Sequence, residues 1–214
     1  MKTITLFIGV SMLASVSFAQ ISSTSQFSGT LSDDFESYPD YATTSGGVIT
    51  LSVMGGGATF SSTGHNLWIY DTGTAPWGLG THGAGLTTSG TQGFGINNEG
   101  SPIVADLVFV NEVSRFGGFM ATHSNGNNGM TNVSFFDVNN VQIGTAQSVG
   151  HGSNAMNWYG WESTVGIKRI RFNGNSAPIM DDIQAGSGVV PEPATFAVLG
   201  LGALALIRRR RSSK

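Results

Sequence analysis

NVSFFDVNNVQIGTAQ, residues 132–147, predicts a β-hairpin. On both sides of Asn139-Asn140, apolar and polar residues alternate with the period of two that a half-buried strand requires. Asparagine tolerates positive φ angles, which two-residue hairpin turns demand. This stretch therefore predicts two antiparallel strands joined by a tight turn.

The rest of the body repeats the same pattern. Glycine or asparagine interrupts the chain at intervals of roughly 8 to 12 residues, and no long segment has helical periodicity, which is typical of an all-β sandwich or barrel. We predict a jelly-roll-like antiparallel β-sandwich. The predicted strands are 34–38, 48–54, 67–70, 93–96, 103–111, 115–122, 131–138, 141–147, 158–163, 167–173 and 179–184.

One predicted strand, IKRIRFN at 167–173, has no cleanly apolar face. Regular alternation gives one face Ile167, Arg169 and Arg171 and the other face Lys168, Ile170 and Phe172. We therefore expect this strand near a sheet edge or beside an acidic cluster.

Composition excludes some classes of function. Residues 20–190 contain four basic and twelve acidic residues, a formal charge of −8, so nucleic acid is not an expected partner. Charged residues make up only 11% of the chain, which has 31 glycines and no cysteine, so disulfides and thiolate metal sites are absent. A surface rich in hydroxyls and amides suits a protein among extracellular glycans, and it equally suits any secreted β-protein.

The N terminus resembles a secretory signal peptide. A single Lys precedes an apolar stretch from Ile4 to Val16, and Ser17-Phe18-Ala19 follows. We predict that residues 1–19 are a signal-peptide helix and that signal peptidase cleaves between Ala19 and Gln20. The predicted body spans residues 20–188.

Two acidic clusters stand at opposite ends of the body, SDDFES at 32–37 and MDDIQ at 180–184. The first and last strands of a jelly roll commonly pair, so these clusters can meet, and converging carboxylates are the oxygen ligands that Ca²⁺ takes. The alternative is that they point to solvent or pair with the basic residues of 167–173. The candidate structural calcium ligands are Asp34, Glu36, Asp181 and Asp182.

Tryptophan supplies candidate glycan contacts, because sugar-binding sites stack pyranose faces on exposed aromatic rings. The candidates are Trp68, Trp77 and Trp161. The alternative for each of them is a place in the core.

No catalytic motif is present. The string GLGTHG at 78–83 has the spacing of a nucleotide-binding loop but is followed by GAGLTTSG, which cannot form the required helix. There is no H-E-x-x-H and no G-x-S-x-G. A glycosidase needs two carboxylates across a cleft, and no motif singles out a pair. We predict no catalytic residues.

The C terminus reads VVPEPATFAVLGLGALALIRRRRSSK. Residues 194–207 would form a helix of roughly 21 Å, which approaches the length of a membrane span when flanking residues are included. By the positive-inside rule the basic cluster stays in the cytoplasm and the body lies outside the inner membrane. Prolines on both sides of Glu192 stop the helix and leave an extended segment outside the bilayer.

This tail resembles the PEP-CTERM sorting signal, in which a Pro-Glu-Pro triplet, an apolar helix and a basic cluster end the chain. The resemblance covers 189–214. It implies recognition by an exosortase, a membrane cysteine-protease-like transpeptidase, and export associated with exopolysaccharide and biofilm matrix. The residues that carry the signal are Pro191, Glu192, Pro193, Arg208, Arg209, Arg210 and Arg211.

The body resembles the cysteine-free β-sandwich ectodomains of PEP-CTERM proteins. It shares with them an opening D-F-E at 34–36, a central F-x-D at 135–137 and a closing D-D-I at 181–183. We predict an exported, non-enzymatic cell-surface or matrix protein. The alternatives are a secreted glycan-active enzyme and a lectin-like carbohydrate-binding module on the same fold.

Overall fold

The computed structural model describes residues 20–39, 49–64, 66–71, 87–96, 102–123, 129–150 and 155–187. These ranges contain eleven strands and one 3₁₀ turn, Met54–Gly56. The strands are β1 Ile21–Ser23, β2 Leu31–Asp33, β3 Thr50–Val53, β4 Ala58–Ser62, β5 Leu67–Asp71, β6 Gln92–Ile96, β7 Ile103–His123, β8 Thr131–Phe136, β9 Gln142–Val149, β10 Asn157–Gly174 and β11 Ala177–Gly186.

Two long strands, β7 and β10, pair along most of their length and belong to both layers of the sandwich. In one layer the order is β3-β4-β7-β10-β8-β9, formed by the first half of β7 and the second half of β10. In the other layer β5-β6-β11 continues into the second half of β7 and the first half of β10, and β1 flanks β10. Every pairing is antiparallel. The predicted all-β antiparallel sandwich is confirmed.

Aromatic side chains from the two layers meet in the core. Phe60 of β4 stacks on Phe94 of β6 with ring centroids 4.4 Å apart, and Phe135 of β8 packs on Trp161 of β10 at 5.4 Å. All four side chains are buried. Since no disulfide is available, this packing is the principal source of stability.

The predicted hairpin is confirmed, with a small shift of its second strand. β8 and β9 pair in antiparallel register, and Asn140 adopts the positive φ that the turn requires, 63°. Val133, Phe135 and Ile143 are buried as the alternation predicts. Val141 is exposed, because the turn continues through it and β9 begins at Gln142.

The other strand predictions are partly confirmed. The predicted strand 34–38 is wrong, because Asp33 and Asp34 accept hydrogen bonds from the amides of Phe35 and Glu36 and fold the segment into a turn. No predicted strand covers β1, β2 or β4, and β7 and β10 were each predicted as two strands.

The terminal predictions lie outside the described residues, apart from Gln20. The Gln20 amide donates to Thr164 Oγ1 at the start of the chain segment that forms β1. Within the described ranges, no helix has the length and apolar character that crossing a membrane requires.

Candidate functional site: an acidic pocket beside the last strand

The pairing of β2 with β11 brings the two acidic clusters of the sequence together. Asp33 lies opposite Ile183, and Leu31 lies opposite Ala185. The turn that contains Asp34 and Glu36 therefore begins beside the strand that carries Asp181 and Asp182. The predicted meeting of the first and last acidic segments is present in the structure.

A polar pocket of about 480 Å³ opens at this junction. Its wall combines carboxylates, hydroxyls and an amide with backbone, and it contains one aromatic side chain. The lining residues are Ser32, Asp33, Asp34, Ser37, Tyr38, Ser52, Gly55, Gly56, Asp182 and Gln184.

Asp33 organises the pocket wall. Its Oδ2 accepts hydrogen bonds of 2.6 Å from the Tyr38 hydroxyl and from the Met54 amide, and its Oδ1 accepts one of 3.0 Å from the Phe35 amide. The residue is 9% exposed. A carboxylate held by this many donors is rigid, and it joins the turn after β2 to the 3₁₀ turn after β3.

Backbone strain concentrates around the same pocket. Four described residues other than glycine have positive φ, and three of them adjoin or line it: Phe35 at 60°, Met54 at 56° and Asp182 at 47°. Such conformations cost of order 1–3 kcal/mol each and persist only where the surroundings enforce them. The hydrogen bonds that the Phe35 and Met54 amides donate to Asp33 supply part of that enforcement.

Asp181 is fully buried behind the pocket. Its Oδ2 accepts hydrogen bonds from the amides of Thr88 and Ser89, at 2.6 and 3.1 Å, and its Oδ1 accepts one from the Asp182 amide at 2.7 Å. Burial raises the pKa of Asp181, the hydrogen bonds from Ser89 and Thr88 oppose the rise, and the charge of Asp182 adds to it. Asp181 therefore anchors the segment that precedes β6.

A single hydroxyl lies between the two neighbouring carboxylates. Thr88 Oγ1 is 2.9 Å from Asp181 Oδ2 and 2.7 Å from Asp182 Oδ2, while Ser89 Oγ donates to Asp182 Oδ1 at 2.8 Å. Because a hydroxyl carries one hydrogen, Thr88 can donate to only one of the two carboxylates at a time. The two carboxylates therefore lie close together and share the hydrogen of one hydroxyl.

The Tyr70 hydroxyl faces the same region without a hydrogen-bond partner in the described part of the chain. Tyr70 pairs with Gly93, where an added Cβ would lie 2.5 Å from the hydroxyl. Burial, and after it the charge of Asp181, raise the pKa of Tyr70, so the phenol stays neutral.

Glu36 is bound to the loop before β6 rather than to the other acidic residues. Its Oε1 accepts hydrogen bonds from the amides of Thr91 and Gln92, at 2.8 and 2.6 Å. Gly90 permits this approach, because a Cβ there would lie 2.2 Å from the Glu36 carboxyl carbon.

The predicted calcium ligands, Asp34, Glu36, Asp181 and Asp182, share this region but do not converge on one point. Among the described residues, no three acidic or histidine side chains form a group that could hold a metal ion. Oxygen donors are nevertheless abundant around Asp181 and Asp182, which is the chemistry that calcium prefers. Calcium binding stays a prediction.

Two of the three predicted glycan contacts are buried. Trp161 is a core residue, 3% exposed, and Trp68 is 8% exposed, so neither ring offers a face for stacking. Trp77 lies outside the described residues.

Among the described tryptophans, Trp158 is the partly exposed one, and no sequence pattern singled it out. Its indole lies over Gly117 and Gly160, its Nε1 donates to the Thr24 carbonyl at 3.3 Å, and Phe27 contacts it edge-on at 5.6 Å. Trp158 therefore fastens the connection from β1 to β2 across the sheet.

The comparisons with known proteins identify the tail. A family model described as the PEP-CTERM protein-sorting motif matches residues 189–211, so the chain carries this motif and the resemblance of the tail is confirmed. The motif indicates an exported chain that an exosortase-type system sorts. No curated protein matches the sequence.

Solved structures with a similar arrangement of strands share little sequence with this chain. The K2 cleaved adhesin domain of Lys-gingipain is 12% identical, with 72% of this chain and 97% of that chain covered and a TM-score of 0.48. CsCBM6-3 from Clostridium stercorarium, solved with cellobiose, is 16% identical, with 60% of this chain and 87% of that chain covered and a TM-score of 0.35. The CBM22-1 xylan-binding domain of Paenibacillus barcinonensis Xyn10C is 15% identical, with 77% of this chain and 100% of that chain covered and a TM-score of 0.37. At these TM-scores the similarity carries no argument about a ligand.

Proposed function

We propose that the protein is an exported cell-surface or extracellular-matrix protein that an exosortase-like membrane protease processes and that associates with exopolysaccharide without catalysing a reaction. The observation that carries the proposal is the sorting motif at residues 189–211, on a chain that begins with a signal-peptide pattern. In this proposal signal peptidase acts first, and the C-terminal helix holds the precursor in the inner membrane until processing.

The chemistry of the tail supports processing at the triplet. Proline fixes φ and restricts the residue before it to extended conformations, so Pro191-Glu192-Pro193 favours an extended segment that a protease can bind. Arg208 to Arg211 resist transfer across the membrane and keep the C-terminal end of the helix in the cytoplasm.

The state of the carboxylates supports a role without catalysis. A glycosidase needs one carboxyl group that can protonate the leaving group and a second that can attack or activate water. Asp33 is engaged by three donors, and Asp181 is fully buried behind Thr88 and Ser89. The two accessible carboxylates are also engaged within the fold, because Asp34 accepts from the Glu36 amide and Asp182 accepts from the Ser89 hydroxyl.

The surface chemistry supports a polysaccharide partner. Hydroxyl, amide and carboxylate groups line the pocket and can exchange hydrogen bonds with sugar hydroxyls. The body also has few charges for its size, which disfavours strong binding to densely charged polymers.

The sorting step is tested with a triple alanine variant at Pro191, Glu192 and Pro193 in the native host. We expect the variant to accumulate as a membrane-held precursor of higher mass, whereas the wild-type chain is converted to the mature form. Fractionation, immunoblotting and intact-mass measurement distinguish the two forms.

A matched control replaces Ser212 and Ser213, which lie just beyond the matched motif, with alanine. This control should mature normally. Normal maturation of the triple alanine variant would contradict the proposal. Release of sugar from polysaccharide by the mature protein, lost on Asp182→Asn, would instead favour the glycan-active enzyme.

A further inference from the structure

Nearly all basic charge of the body lies on one short piece of β10. Residues 20–190 contain four basic residues, and three of them, Lys168, Arg169 and Arg171, stand within four positions. The fourth, Arg115, lies elsewhere, over the ring of Phe27. The same range contains twelve acidic residues, so this concentration is a local reversal of the overall charge.

A register shift places all three basic side chains on the outer face of the sheet. Regular alternation would put Ile167 on the same face as Arg169, but the pairing of β10 with β7 shifts between these two residues. As a result Ile167, Ile170 and Phe172 are all fully buried, and Lys168, Arg169 and Arg171 all remain partly exposed. The predicted alternation of this strand is therefore wrong. Its inner face is apolar, and its outer face carries the three basic residues.

This strand was predicted near a sheet edge or beside an acidic cluster, and the edge position is wrong. In this part of the chain β10 lies between β7 and β8. The three cations thus stand in the middle of a sheet, where the side chains of neighbouring strands support them. We call Lys168, Arg169 and Arg171 the basic patch.

Asp106 of β7 is the one acidic side chain in the described residues that forms ion pairs with the basic patch. Its carboxylate accepts a hydrogen bond of 2.9 Å from Arg169 Nη1 and hydrogen bonds of 2.8 Å from Nε and Nη2 of Arg171. Glu112 lies near Gly166 but makes no ion pair with Lys168. Even with both carboxylates counted, three cations leave the patch with net positive charge.

The geometry of the patch is set before any partner arrives. The Arg169 guanidinium stacks over Phe136 at 3.8 Å and also donates to Asn140 Oδ1, and its side chain is only 15% exposed. The Arg171 side chain is 39% exposed and its Nη1 has no acceptor in the described residues. Lys168 uses one donor on the Val110 carbonyl and keeps two.

Amide groups extend the same outer face. Asn173 of β10 pairs with Asn132 of β8, and both are exposed, while Ser134 lies opposite Arg171. A sheet surface that combines cationic donors with amides and a hydroxyl can bind a carboxylate and the sugar hydroxyls around it.

We propose that the basic patch binds the carboxylate groups of an acidic, uronate-containing exopolysaccharide. The inference rests on the proposed function, because it assumes that the mature protein meets exopolysaccharide outside the cell. The remainder of the body is acidic, so binding to such a polymer depends on the basic patch and not on the overall charge of the protein. Arg171 and Lys168 provide the free donors, and Arg169 with Asp106 holds Arg171 in place.

The test uses the mature wild-type protein and compares retention on immobilised polygalacturonate with retention on neutral dextran at pH 7. We expect binding to polygalacturonate only, weakened by high salt because the contacts are exposed ion pairs. The double variant Lys168→Gln, Arg171→Gln should bind about tenfold more weakly. Arg169 is left unchanged because it packs on Phe136.

Arg115→Gln is the matched control, since it removes the same kind of charge outside the patch. It should bind like the wild type, and circular dichroism should show that both variants remain folded. Equal loss of binding in Arg115→Gln, equal retention on dextran, or binding to anionic lipid vesicles in place of polygalacturonate would overturn the inference. Such a result would leave the sorting proposal intact, because normal processing at Pro191-Glu192-Pro193 is measured independently.

Discussion

Asp33 and Asp34 are neighbours with different roles. The Asp33 carboxylate accepts hydrogen bonds from Phe35, Tyr38 and Met54, whereas within the described ranges the exposed Asp34 accepts one only from the Glu36 amide. In Asp33→Asn the side-chain NH₂ group would replace one carboxylate oxygen. It would then face the N–H group of either Phe35 or Met54, and that hydrogen bond would be lost. We expect this variant to lower the free energy of unfolding by about 1 to 3 kcal/mol.

Asp34→Asn is the matched control for Asp33→Asn. We expect it to change the free energy of unfolding by no more than about 0.5 kcal/mol, as exposed substitutions usually do. Chemical denaturation at pH 7 measures both variants. If the two variants are equally stable, the assignment of Asp33 as the organiser of the pocket is incorrect.

Asp106 shows how a carboxylate can hold cations in place without cancelling them. Burial by itself would raise the pKa of Asp106, but the hydrogen bonds and charges of Arg171 and Arg169 outweigh that effect and lower it. Asp106 is therefore ionised at neutral pH. It neutralises one of the three charges of the basic patch and fixes the direction of Arg171.

Short-range patterns predicted the elements that local chemistry determines. The hairpin of β8 and β9 depends on alternation over a few residues and on one asparagine with positive φ, so the sequence was sufficient to predict it. The 167–173 strand was predicted in the right place but with the wrong faces. Its register shift depends on pairing with β7, more than 50 residues earlier in the chain, which periodicity within the strand cannot reveal.

The same limit applies to the candidate site. The sequence predicted that the two acidic segments can meet, on the expectation that the first and last strands pair. They do meet, but the strand that pairs with β11 is the second one, β2, whereas β1 pairs with β10. It did not predict Thr88 and Ser89, which bind Asp181 across 92 or 93 positions of chain. Serine and threonine are frequent in this sequence, so nothing local distinguishes these two.

Calcium binding would connect the β2 and β11 segments, and it can be measured by thermal melting with added calcium or with EDTA. A ligand at 100 times its Kd stabilises by about 2.7 kcal/mol, so the melting temperature should rise by about 5 to 10 °C. Asp182→Asn should abolish the rise, because Asp182 lies in the pocket and beside Asp181.

Glu162→Gln serves as the control for that measurement, because Glu162 is an exposed acidic residue on β10, outside the pocket. It should keep the full calcium response. A melting temperature that calcium and EDTA leave unchanged in the wild-type protein rules out the predicted ligands Asp34, Glu36, Asp181 and Asp182 together.

The sorting motif lies on the C-terminal side of β11 in the sequence. β11 is the last described strand and pairs with β2, β6 and β7, so the chain completes its sheet only at Gly186. The sorting motif begins three residues later, at 189. Removal of the tail therefore removes none of the strands that the structure describes.

Two fragments test this separation. The fragment 20–190 should melt cooperatively, at the temperature of the mature protein. The fragment 20–176 lacks β11 and with it the fully buried Met180, Ile183 and Ala185. Burial of a side chain such as Met or Ile contributes about 1.5 to 3 kcal/mol, and a domain has a net stability of about 5 to 15 kcal/mol. Because the shorter fragment also leaves the edges of β6 and β7 unpaired, we expect it to be unfolded by circular dichroism. A folded 20–176 fragment would show that the sandwich closes without its last strand, and the body would then end well before the sorting motif.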